Sequence, residues 1–128
     1  MASTLARRLS APVTRPYRVI LRRRGTPEKH SYATLVEALD ALETELRADA
    51  TEMRAHQHDE HALGKTYSPA EQVAVRGELR GPRGLRAGID VRGDGEAEAY
   101  VGLVRRRLVE RFPREDAYAA LRRTLIGV

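Results

Sequence analysis

Arginine is the residue type in this sequence whose side chain most clearly suggests a chemical role. Of the 23 basic residues, 21 are arginine, and two runs of three concentrate this charge. The guanidinium group is a planar fork of N–H donors that binds phosphate through paired hydrogen bonds, and phosphate contacts supply most sequence-independent affinity for nucleic acid. The candidate phosphate contacts are Arg22, Arg23, Arg24, Arg76, Arg105, Arg106 and Arg107.

A second explanation of the arginines needs no ligand. A GC-rich genome encodes arginine in preference to lysine, and such side chains then pair with nearby acids. The charge is segregated: residues 1–27 carry +7, residues 28–62 carry −6 and residues 63–128 carry +4, for a net charge of +5. This basic–acidic–basic order fits a protein that binds polyanions, and it fits equally well two basic ends that pack against an acidic middle.

A histidine-rich segment, His56-Gln57-His58-Asp59-Glu60-His61, offers the ligand types that first-row transition metals prefer. On a helix, His58 and His61 would share a face. Histidine also suits the negative end of a helix dipole, so a solvated helix end explains the segment without a metal. His56, His58 and His61 are therefore a weak candidate metal site.

The catalytic motifs that a sequence can reveal are missing. There is no phosphate-binding glycine loop and no nucleophile elbow, and without cysteine there is neither a thiol nucleophile nor thiolate ligation of a metal. No apolar run approaches the length of a membrane span. We expect a cytoplasmic protein that needs no cofactor. The missing motifs favour a non-catalytic protein, while an active site assembled from residues distant in sequence stays open.

Periodicity and turn residues predict six elements. Residues 17–24 alternate as a short strand, and Thr34 with Glu37 forms a capping box at the start of an amphipathic helix over 33–55. Two strands, 73–80 and 85–92, flank the turn Gly81–Gly84. Residues 96–112 fit a strand better than a helix because a hairpin turn precedes them, and residues 116–125 form a last helix.

This order, β-α-β-β-β-α, predicts an α+β fold: a single three- or four-stranded, mostly antiparallel sheet with two helices on one face. Residues 1–15 are expected to be a flexible basic tail, and residues 16–128 a single domain. Because side chains alternate along strands, the sheet face away from the helices should carry arginines. They are Arg76, Arg80, Arg86 and Arg92.

The helix has a leucine seam with heptad-like spacing, formed by Leu35, Leu39, Leu42, Leu46 and Met53. We expect this seam to pack on the protein's own sheet. The alternative is a contact between two copies of the helix, since three heptads are close to the minimum for a coiled coil.

The segment Glu115-Asp116-Ala117-Tyr118-Ala119-Ala120-Leu121, together with the predicted element order and the basic charge, resembles ribosome hibernation-promoting factors. In that family the last helix opens with a similar acidic, aromatic and small-residue run. The resemblance implies a β-α-β-β-β-α fold and binding to the small ribosomal subunit through basic residues.

Two functions follow as hypotheses. The first is a small non-catalytic module that associates with RNA or the ribosome through arginine–phosphate contacts. The second is a structural or protein-interaction module that forms a homodimer through the helix over 33–55 or through a sheet edge. Salt separates them, because phosphate binding weakens steeply with salt and a hydrophobic dimer does not.

Overall fold

A computed structural model of the chain describes residues 14–62, 72–102 and 105–127. These residues form one antiparallel sheet with the strand order β2-β1-β3-β4-β5-β6 and two helices. The strands are β1 (Tyr17–Arg22), β2 (Glu28–Tyr32), β3 (Val73–Gly81), β4 (Leu85–Arg92), β5 (Ala97–Val101) and β6 (Arg107–Leu108). The helices are α1 (Leu35–Ala62) and α2 (Ala117–Ile126). The α+β class is confirmed.

The prediction of three or four strands is wrong, because the sheet has six. The first missed strand, β2, reads Glu-Lys-His-Ser-Tyr and lies at the sheet edge with four of its five residues exposed. Such a strand has no apolar alternation and is held by its pairing with β1. The second, β6, is only two residues long.

The extra strands also change the element order to ββαββββα, which is not the order on which the resemblance to ribosome hibernation-promoting factors depended. The prediction of one strand over residues 96–112 is confirmed for Ala97–Val101, whereas Arg107–Leu108 form a separate strand, β6. Gly102 follows Val101 with a φ of 93° that favours glycine, and the chain turns back to form β6.

Both helices pack on the same face of the sheet and form one core with it. Strand residues that alternate along the chain face the helices and are buried, among them Val19, Leu21, Leu79, Ile89 and Val91. The remaining residues of these strands point to the opposite side, which we call the outer face.

Helix α1 begins after Thr34, whose hydroxyl accepts a hydrogen bond of 3.1 Å from the backbone N–H of Glu37, as the capping box predicts. The helix continues to Ala62, beyond the predicted end near residue 55. Its seam residues Leu39, Leu42 and Leu46 are buried against the sheet. The protein's own core therefore covers most of the seam.

Asp116 caps α2 and ties it to α1. Its carboxylate accepts from the N–H of Ala119 at 2.8 Å and from Nη2 of Arg47 at 2.5 Å. Burial alone would raise the pKa of Asp116, but these hydrogen bonds outweigh it and the pKa lies below its usual value.

Asp116→Ala should lower the free energy of unfolding by about 1 kcal/mol at neutral pH, the usual cost of a lost N-cap, measured by urea denaturation. Since the folded pKa is lowered, this stabilisation is present above the unfolded pKa and is lost as pH falls below about 4. The difference from wild type should therefore shrink in acid. Asp116→Asn, which keeps a cap, is the control, and a loss as large as that of Asp116→Ala would show that the Arg47 contact matters more than the cap.

Candidate functional site

The outer face is rich in arginine. The described residues of this face include seven arginines and three carboxylates. They are Arg18, Arg22, Arg76, Arg80, Arg86, Arg92, Arg106, Glu78, Asp90 and Glu98. The two ends of this face differ in how these charges are matched.

At the end where β1 finishes, the arginines have carboxylate partners. Arg76 forms a two-pronged pair with Asp90, with N–O distances of 2.8 and 3.2 Å, and these hydrogen bonds raise the pKa of Arg76. Nε of Arg22 lies 3.1 Å from Glu78 Oε1. Arg92 donates to Glu98 at 2.9 Å. We call this the paired end.

Arg23 also lies at the paired end, but on the helix side of the sheet. Its guanidinium contacts Glu45 and lies 2.9 Å from Asp49 and 3.6 Å from Glu28. Burial raises the pKa of Asp49, which Arg23 opposes. Here the basic first segment of the chain is matched by the acidic segment that forms α1.

The opposite end of the outer face carries a row of arginines. Arg18 on β1 lies directly opposite Arg80 on β3, and Arg80 lies directly opposite Arg86 on β4. Neighbouring strands are about 4.8 Å apart, and like charges at directly opposed positions destabilise a sheet. The one carboxylate within 4.0 Å of this row among the described residues is Glu78, whose Oε2 lies 3.3 Å from Nη2 of Arg80.

Loops add further arginines at the same end. Arg15 precedes β1, Arg83 lies in the turn between β3 and β4, and Arg105 lies between β5 and β6. The described segments 14–18, 80–86 and 105–107 contain no acidic residue at all. We call the following residues together the arginine end: Arg15, Arg18, Arg80, Arg83, Arg86, Arg105 and Arg106.

Tyr100 holds one of these arginines in place. The guanidinium carbon of Arg106 lies 4.7 Å from the centre of the Tyr100 ring, a cation–π contact. Beneath it the tyrosine is only 4% exposed, and burial raises its pKa. The ring has room because residue 88, directly opposite on β4, is glycine.

The structure divides the arginines singled out from the sequence. Arg105 and Arg106 belong to the arginine end, and Arg107, opposite Val101, lines a surface depression beside α2. Arg22, Arg23 and Arg76 have carboxylate partners at the paired end, and Arg24 is exposed in the turn after β1. The two runs of three are not brought together, since β1 and β6 are separated by three strands.

Five residues of the arginine end were not among the candidate phosphate contacts named from the sequence: Arg15, Arg18, Arg80, Arg83 and Arg86. The sequence contained a signal for three of them. The turn Gly81–Gly84 places Arg80 opposite Arg86 in the hairpin register, and Arg83 lies at its tip. Arg18 lies beside this hairpin because β1 pairs with β3, and these strands are distant in sequence. No local sequence pattern predicts this pairing.

The candidate metal ligands His56, His58 and His61 fall in the last turns of α1, where the structure describes the backbone alone. Their side chains lie outside the described residues, so this prediction stays untested. Elsewhere in the described part of the chain, no three histidine or acidic side chains are grouped closely enough to hold a metal ion.

No helix in the described ranges is long and apolar enough to cross a membrane. In comparisons with known proteins, no protein-family model, curated protein or solved structure matches the chain. The proposals that follow are therefore argued from geometry and charge.

Proposed function

We propose that this protein is a non-catalytic module that binds RNA through contacts between the arginine end and backbone phosphates. One observation carries the proposal: arginines occupy directly opposed positions on three adjacent strands and are joined by loop arginines, and among the described residues a single carboxylate lies within 4.0 Å of the row. Self-repulsion at opposed positions costs stability, and an anionic ligand relieves it.

The contrast with the paired end supports the proposal. If the arginines reflected genome composition alone, they should have carboxylate partners equally often at both ends of the outer face. Instead Arg22, Arg76 and Arg92 each have a carboxylate within hydrogen-bonding distance, whereas Arg18 and Arg86 have none within 4.0 Å among the described residues. The unmatched charge is collected at one end, where several guanidinium groups can bind one polyanion together.

The proposal is tested with the purified full chain and a fluorescently labelled RNA of mixed single- and double-stranded structure, by anisotropy at several salt concentrations. If about five arginines each contact one phosphate, affinity should fall about 500-fold between about 0.05 and 0.2 M salt. Size-exclusion chromatography with absorbance at 260 and 280 nm should show nucleic acid leaving the protein at high salt. No binding at about 0.05 M salt, or binding indifferent to salt, would overturn the proposal.

A substitution of Glu78 tests the proposal by an expected increase in RNA affinity. Glu78 is buried between Arg22 and Arg80 and is, in the part of the chain that the structure describes, the one carboxylate that contacts the row. Glu78→Gln should strengthen RNA binding about eightfold at about 0.1 M salt, because the released Arg80 gains one phosphate contact. Asp90→Asn removes a carboxylate from the paired end and is the matched control. Equal strengthening by both variants would mean that total charge, and not the arginine end, governs affinity.

A further inference from the structure

In residues 14–18, 80–86, 100–102 and 105–107, the structure shows on the outer face neither of the two features that hold unpaired bases. Proteins that recognise single strands stack bases on exposed aromatic rings or enclose them in pockets. Among the described residues Tyr100 is the one aromatic ring on the outer face, and it is 96% buried with Arg106 above it. A base that lies on the outer face therefore meets no exposed ring among the described residues.

The depression that the described residues form on the outer face at the arginine end is too small for a base. The depression between Arg80, Arg86, Tyr100 and Arg106 has a volume of about 10 Å³, which is room for about one water molecule. Larger depressions in the described residues lie elsewhere: along β5 near Arg92, beside Arg23 and Arg24, and beside α2 near Arg107.

By their positions in the fold, the arginines of the arginine end divide into two groups, which we call two lines. One line lies on the sheet face and consists of Arg18, Arg80, Arg86 and Arg106. The other lies in the segments just beyond the strand ends and consists of Arg15, Arg83 and Arg105. From β1 to β6 the sheet extends over four strand spacings, about 19 Å. A single strand presents one line of phosphates, whereas a double helix presents two.

From these observations we infer that the arginine end binds double-helical RNA by its two phosphate backbones and does not read unpaired bases. This inference depends on the proposed function, since it concerns the same arginines. It names the form of nucleic acid that the surface accepts.

The test compares three probes with equal numbers of phosphates and no overhangs: an RNA duplex of about 20 base pairs, an unstructured RNA single strand and a DNA duplex. Wild-type protein is titrated with each probe at the same salt concentration. We expect the RNA duplex to bind at least about tenfold more tightly than the single strand, with a steeper salt dependence, because more phosphates are contacted and duplexes release more counterions per contact. Arg83→Gln and Arg86→Gln, one from each line, should each weaken duplex binding about eightfold at about 0.1 M salt.

The outcomes separate this inference from the function on which it depends. Single-stranded RNA that binds as tightly as the duplex would overturn the inference and leave RNA binding standing. A DNA duplex preferred over the RNA duplex would support backbone reading and overturn RNA as the ligand. Failure of all three probes to bind at about 0.05 M salt would overturn both. An effect of Arg86→Gln without any effect of Arg83→Gln would reduce the contact to one line of phosphates and contradict the inference.

Discussion

Replacing Arg18, Arg83 and Arg106 together with glutamine should weaken RNA binding about 500-fold at about 0.1 M salt, if each side chain contributes one phosphate contact. The slope of log K against log salt should become shallower by nearly one unit per arginine. Arg18 and Arg83 are exposed and have no carboxylate within 4.0 Å among the described residues, so the fold loses little when their charge is removed. Fluorescence anisotropy over a series of salt concentrations measures both quantities.

The matched control replaces Arg24, Arg111 and Arg114 with glutamine. It removes the same charge from three exposed arginines outside the arginine end. Each variant alters one residue with positive φ, since Arg114 in the control has a φ of 70° and Arg83 in the first variant has a φ of 61°. The control should bind RNA within a few-fold of wild type. A loss as large as that of the first variant would mean that net charge alone attracts the polyanion. Thermal melting of both proteins checks that each remains folded.

The structure shows which of the basic and acidic segments of the chain pair with each other, and composition alone did not specify this. The structure bears out one of the two alternatives drawn from the basic–acidic–basic order, the packing of the basic ends against the acidic middle, while polyanion binding stays the proposal. On the helix side the acidic middle segment pairs with both basic ends: Asp49 of α1 contacts Arg23, and Asp40 of α1 accepts from Arg122 at 2.6 Å. Once these acids are engaged there, the outer face retains an excess of arginine, and strand register concentrates it at one end.

Strong local signals explain which elements were predictable. The capped amphipathic helix, the hairpin at Gly81–Gly84 and the last helix all appear where periodicity and turn residues placed them. Strand β2 was missed because its residues are polar, and its place in the sheet depends on backbone hydrogen bonds with β1. The extension of α1 from 55 to 62 was missed because a polar histidine-rich segment has no apolar period to follow.

The site was predictable only in part, for a different reason. Alternation correctly assigned Arg76, Arg80, Arg86 and Arg92 to one face. It did not show which of them meet a carboxylate, since that depends on register: Arg76 lies opposite Asp90, whereas Arg80 lies opposite Arg86. Runs of consecutive arginines attract attention in a sequence, but neighbours along a strand point to opposite faces. Arginines distant in sequence therefore assemble this surface.

Gly88→Ala should be the most destabilising single methyl addition on the outer face, at about 3 kcal/mol, the upper part of the usual range for overpacking. A β-carbon at residue 88 would lie 2.5 Å from the carbonyl oxygen of Gly77 and closer still to the Tyr100 hydroxyl. The tyrosine can rotate only by giving up its buried position beneath Arg106, and the carbonyl belongs to the neighbouring strand β3. Urea denaturation with a fixed m-value would report the loss.

The control for this prediction is Gly84→Ala in the turn between β3 and β4. A β-carbon there meets nothing within 4 Å, so the substitution tests backbone strain alone at a φ of +73° and should cost only about 1 kcal/mol. Gly88→Ala should also weaken RNA binding, because displacing Tyr100 removes the support of Arg106, whereas Gly84→Ala should leave Arg106 in place. If the two variants unfold at the same urea concentration, Tyr100 does not lie in the space above Gly88. The cation–π contact assigned to Arg106 and Tyr100 would then be wrong.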